Sequence, residues 1–108
     1  MPTIRIDYDD KKLEDSEILL LSNSIQKIVS SITGIEDTFV YANSPRIKVR
    51  VAPIEIFVQI SATKVPDGES LFNDIKNQLS KWKKNNNFNH PINLTLMPMD
   101  WKFETDIK

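Results

Sequence analysis

Isoleucines 4 and 6 alternate with Thr3, Arg5 and Asp7 at the start of the chain, the period-two pattern of a strand buried on one face. Ile18, Leu21, Ile25, Ile28, Val29 and Ile32 then recur at steps of three and four, one face of a helix, and Gly34 fits its left-handed C-terminal cap. The acidic residues Asp9, Asp10, Glu14 and Asp15 lead into that helix. Residues Thr38–Ala42, β-branched or aromatic, predict a second strand. After the turn Asn43-Ser44-Pro45, Ile47–Val51 reads as a further strand or hairpin arm.

The plan then repeats. Ile54, Ile56, Val58 and Ile60 alternate with Glu55, Phe57 and Gln59. Pro66-Asp67-Gly68 opens a second helix with Asp67 as N-cap, and Leu71, Phe72, Ile75, Leu79 and Trp82 form its buried face. Asn85–Asn89 reads as a solvated loop, and Ile92, Leu94 and Leu96 as the inward side of a last strand. The tail Asp100–Lys108 adds a short strand or wraps a neighbour. A proline opens each half, Pro2 and Pro53, and a proline ends each, Pro45 and Pro98. The expected architecture is α+β: a duplicated β-α-β unit whose four-stranded sheet carries both helices on one face, in a single domain over 1–108 with pseudo-repeats 2–45 and 53–98.

Composition narrows the function. The chain has 108 residues, 40% hydrophobic and 27% charged, enough for one modest core. A net charge of −1 gives no field for nucleic acid or an anionic membrane. No cysteine is present, so thiol and disulfide chemistry are excluded. The start MPTIRIDYDD lacks the character of a signal peptide and no apolar run approaches a membrane span, so a cytoplasmic location is expected. The single histidine, His90, has no second ligand at metal spacing, and two isolated glycines cannot cradle a phosphate, so neither metal nor cofactor is expected.

Pro2 is the residue with chemistry to offer. Removal of Met1 would leave it a free secondary amine, able to act as a base; its bland reading is a strand opener, as Pro53 is. The open sheet face would carry Thr3, Arg5, Glu55, Phe57, Gln59, Asn93 and Thr95, a mixture suited to packing around an axis in a homotrimer. Arg5 and Glu55 there suggest an ion pair within an oligomer. An RNA-recognition sheet shares the β-α-β duplication, but needs paired aromatics and a basic surface. Trp101 reads as an interface anchor, and Lys81, Lys83 and Lys84 as a basic helix end matched to the helix dipole.

Met1-Pro2-Thr3-Ile4-Arg5, the strand Pro53-Ile54-Glu55-Ile56 and the strand end Leu96-Met97-Pro98, in this order, resemble the tautomerase superfamily, the fold of 4-oxalocrotonate tautomerase and macrophage migration inhibitory factor. The chain looks most similar to a small bacterial family of unknown function within it. The resemblance implies a keto–enol tautomerase or isomerase of a small 2-keto or enol acid, in which the proline nitrogen shuttles a proton. Arginines, often from a neighbouring subunit, would hold the substrate carboxylate; Arg5, Arg46 and Arg50 are the candidates, with Lys48 and Lys64 secondary. The alternative is a non-catalytic homotrimeric module that binds a small metabolite or a protein partner. The chain departs from the relatives in having Ile35 where one branch has lysine, no tyrosine in Leu94–Met99, and Trp101-Lys102-Phe103-Glu104 in place of a paired-tyrosine segment.

Overall fold

A computed structural model describes residues 2–65, 67–100 and 102–108. Strand β1 (Thr3–Tyr8) leads to helix α1 (Asp15–Thr33) and strand β2 (Phe39–Asn43). Strand β3 (Ile54–Ser61), a short 3-10 turn (Ala62–Lys64), helix α2 (Gly68–Asn85) and strand β4 (Asn93–Met99) follow. The sheet order is β2-β1-β3-β4. Each half forms a parallel pair, β1 with β2 and β3 with β4, and the halves join where β1 and β3 run antiparallel at the centre.

Alternation decides which face is buried. Ile4 and Ile6 of β1 and Ile54, Ile56, Val58 and Ile60 of β3 are all at most 1% exposed. All of these but Ile60 form one cluster with Leu21, Ile25 and Val29 of α1 and Ile75 and Leu79 of α2. The edge strands are only half covered: Val40, Leu94 and Leu96 are partly buried. Pro98 stands inside β4, where a missing N–H is tolerated because that strand is a sheet edge.

Local signals place the helix ends. The backbone N–H of Glu14 donates to Glu17 Oε1 at 3.0 Å, fixing the first turn of α1, and Gly34 closes it at φ 72°, a region that favours glycine. Asp67 caps α2, its Oδ1 accepting from the backbone N–H of Ser70 at 3.0 Å.

Three expectations are corrected. Ile47–Val51 is not a strand but irregular chain with Ile47 76% and Val49 fully exposed; its β-branched pattern finds no partner strand among the described residues. The asparagine-rich segment is not wholly solvated, because Phe88 is buried and packs 5.0 Å from the Trp82 ring and 5.2 Å from His90. The tail, described over 102–108, adds no strand, and Phe103 is exposed; Trp101 lies outside the described residues, as does Pro66.

Candidate functional site

Pro2 enters β1 at the sheet centre. It is less than 2% exposed, and its carbonyl accepts from the backbone N–H of Phe39 at 3.2 Å. That bond continues the ladder between β1 and β2, so Pro2 is held at the point where the sheet begins. On the open face beside it, register aligns Phe39, Thr3, Gln59 and Met97 across the four strands.

The next row along contains Tyr41, Arg5, Phe57 and Thr95, so the exposed Arg5 stands between two aromatics. Glu55 is not opposite Arg5 but faces Asp7, and among the described residues no ion pair joins Arg5 to Glu55 within one chain. Arg46 and Arg50 lie in the loop between β2 and β3, at the other end of β1 from Pro2. Five steps along extended chain separate Pro2 from Asp7, roughly 16 Å. A single chain therefore does not bring Arg46 or Arg50 to Pro2.

At that far end the third row reads Asn43, Asp7, Glu55 and Asn93, polar on every strand. Above it lies a cavity of about 450 Å³ whose walls include Asp7, Tyr8, Asn43, Ser44, Arg50 and Glu55. The loop that closes the cavity is tied down at several points. Asp9 N–H donates to the Pro53 carbonyl at 3.0 Å, and Asp10 N–H to Ser44 Oγ at 3.2 Å. Lys48 Nζ hydrogen-bonds Asp10 and lies 3.7 Å from Asp9 Oδ1. The Lys48 bond holds the Asp10 carboxyl below its ordinary value, and the same bond raises the Lys48 ammonium. Lys48 is thus engaged structurally; the side chain of Lys64 lies outside the described residues.

His90 has a partner the sequence gave no sign of. Its Nε2 is 2.7 Å from Glu17 Oε2, across 73 residues of chain. The Glu14 backbone N–H, and then this histidine, hold the Glu17 carboxyl below its ordinary value. Among the described residues no group of three His, Cys, Asp or Glu side chains could hold a metal ion, and no helix is long and apolar enough to cross a membrane.

No protein-family model matches the sequence, and no curated protein matches it significantly. Solved structures do. A fused 4-OT wild-type asymmetric trimer superposes with a TM-score of 0.69 at 11% identity, covering 96% of this chain and 94% of that one. A macrophage migration inhibitory factor-like protein from Entamoeba histolytica gives 0.64 at 14% identity, with 95% of each chain covered. Malonate semialdehyde decarboxylase, solved as wild type, with its first-residue proline replaced by alanine, and inactivated, gives 0.64 at 14%, covering 94% and 90%. With 95–96% of the chain covered at TM-scores of 0.64–0.69, the chain has the tautomerase fold of macrophage migration inhibitory factor.

Proposed function

We propose that the protein is a keto–enol tautomerase of a small 2-keto or enol acid, with Pro2 as its base once Met1 is removed. The observation that carries this reading is the position of Pro2, directly ahead of a central strand of a tautomerase-fold sheet. An α-amino group titrates at about 8, nearer neutrality than any lysine. Apolar burial and neighbouring cations both disfavour the charged form, leaving a neutral amine that accepts a proton at working pH. That amine takes the enol O–H proton and a proton is returned to the substrate carbon, converting enol to ketone. An arginine fork suits the substrate carboxylate and opposes the charge that develops on the enolate.

Arg5 is the candidate for that role from the same chain, and Arg46 or Arg50 from a neighbouring one. The reading therefore requires a homotrimer or another close assembly, in keeping with the trimeric 4-OT of the same fold. Exposed Phe39, Tyr41, Ile47 and Val49 are apolar surface available to such packing.

Turnover of phenylenolpyruvate by the wild type and by Pro2→Ala tests the mechanism. The variant should keep its fold and lose at least ~100-fold in rate; equal turnover would remove Pro2 from the chemistry. Sedimentation should give the mass of three chains, and a monomer would leave no intersubunit pocket. The second reading, a non-catalytic trimeric module, is favoured by one observation: Pro2 is buried and does not line the cavity of about 450 Å³. An intact trimer that retains Met1 would select it.

A further inference from the structure

A proline has no backbone N–H to donate, so Pro2 can join the sheet only through its carbonyl, while its nitrogen must stay free if it is to take a proton. Among the described residues the backbone partner of that carbonyl is the Phe39 N–H, at 3.2 Å. The peptide unit that carries this N–H begins at Thr38, and Thr38 is fixed from the end of α1. Its side chain is buried, and its hydroxyl donates to the Ile35 carbonyl at 2.9 Å. The Ser30 hydroxyl of α1 donates to the same carbonyl at 2.8 Å. The Ile35 N–H in turn donates to Thr33 Oγ1 at 3.3 Å, and the Thr33 hydroxyl to the Val29 carbonyl at 2.8 Å. The Thr38 N–H donates to the Glu36 carbonyl at 2.8 Å, and Gln26 Nε2, also on α1, donates to the Thr38 carbonyl at 3.5 Å. One peptide unit therefore joins α1 to Pro2, its carbonyl held by the helix and its N–H holding the proline. A valine would fill the space of Thr38 without the cost of burying a hydroxyl, so shape alone does not account for threonine here; the hydrogen bond does.

We propose that Thr38 is a positioning residue for Pro2. The proposal rests on the reading of Pro2 as a base. The hydroxyl locks the turn from Ile35 to Thr38, the turn aims the Phe39 N–H, and that N–H stops the proline from pivoting at the head of β1. Pivoting would carry the nitrogen away from the substrate, and a displacement of about 1 Å in a reacting group can cost on the order of 100-fold in rate. Thr38 acts through the Phe39 N–H and not by contact with the reacting atoms. Gln26 supports the same peptide unit through its longer bond.

The test compares two variants of the full chain: Thr38→Val, which keeps the shape and removes the hydroxyl, and Thr38→Ser, which keeps the hydroxyl. Thr38→Val should lower kcat for phenylenolpyruvate about tenfold with KM within about twofold, and speed exchange of the Phe39 amide about tenfold. Thr38→Ser should stay near wild type in both. A role confined to stability would move the denaturation midpoint and leave kcat of the folded protein in place. Should Thr38→Val fail to fold, Gln26→Leu should lower kcat and speed Phe39 exchange by about threefold, the worth of a weak hydrogen bond. Wild-type kcat in a folded Thr38→Val, unchanged Phe39 exchange, or a Thr38→Ser no better than Thr38→Val would each overturn the proposal. Equal turnover by wild type and Pro2→Ala would instead overturn the tautomerase reading. Phe39 exchange and the Pro2 carbonyl chemical shift would then still decide whether Thr38 holds Pro2, both moving in Thr38→Val if it does and neither if it does not.

Discussion

The two ends of β1 differ in kind. At the Pro2 end the chain is buried, hydrogen-bonded to β2 and flanked on the open face by Phe39, Gln59 and Met97. At the Asp7 end a fully polar row lies beneath a cavity of about 450 Å³. One strand thus connects a residue of reactive type at one end to a concave surface at the other, and Pro2 does not line that surface. The lesson is that the reactive residue and the concave surface of one chain need not coincide. In the proposed mechanism, the Pro2 end takes Arg5 from its own chain and Arg46 or Arg50 from a second copy, whereas the cavity at the Asp7 end is lined by a single chain.

The comparison breaks first at what the two ends share. Ile56 is fully buried beside Ile6 at the β1–β3 seam. Ile56→Ala should cost about 2–5 kcal/mol in chemical denaturation and loosen both ends together. A loss confined to one end would show that the ends fold independently.

Asp67 sharpens the Pro2 side. It caps α2 next to Gly68, which lies near the Pro98 ring of β4, at the same end of the sheet as Pro2. Asp67→Ala should cost about 1 kcal/mol, while amide shifts around Asp7 and Asn43 stay in place. Spread of the perturbation to the cavity would contradict the separation.

Acid sharpens the other side. Glu17 and Asp10 are held below their ordinary values, so each contributes stability above its unfolded pKa, about 4, and loses it as the pH falls through the depressed folded value. Denaturation midpoints should fall below about pH 4 more steeply for the wild type than for Glu17→Gln. Parallel curves would remove the Glu17 interaction with Glu14 and His90 from the account. The smallest effect is local: Lys48→Met should speed amide exchange across 44–53 with little change in global stability, since exposed ion pairs contribute little. Unchanged exchange would mean that Lys48 does not fasten the loop that closes the cavity.

The sequence revealed what depends on period. Alternation in β1 and β3 and the three-four spacing of α1 read directly as buried faces, and Gly34 and Asp67 marked helix ends by conformations and caps that few residues serve. Register was not legible. The Asp7–Glu55 apposition follows from how β1 and β3 slide past each other, which tertiary packing sets, so an Arg5–Glu55 pair looked equally natural. Tyr41 was likewise not recognised as a neighbour of Arg5, nor Phe39 of Thr3, although both make the open face more aromatic than Phe57 alone implied. Ile47–Val51 had strand composition without a strand to join. Phe88 was concealed among asparagines, and the Glu17–His90 bond spans too much chain for any local pattern to show.

The central claim is that Pro2 is a base, and a base it can be only with its nitrogen free. Intact mass spectrometry of the protein from its native host decides this most directly. A mass short by one methionine residue is the result predicted, with Pro2 as a secondary amine at the head of β1. A mass that retains Met1 would make that nitrogen an amide and contradict the mechanism.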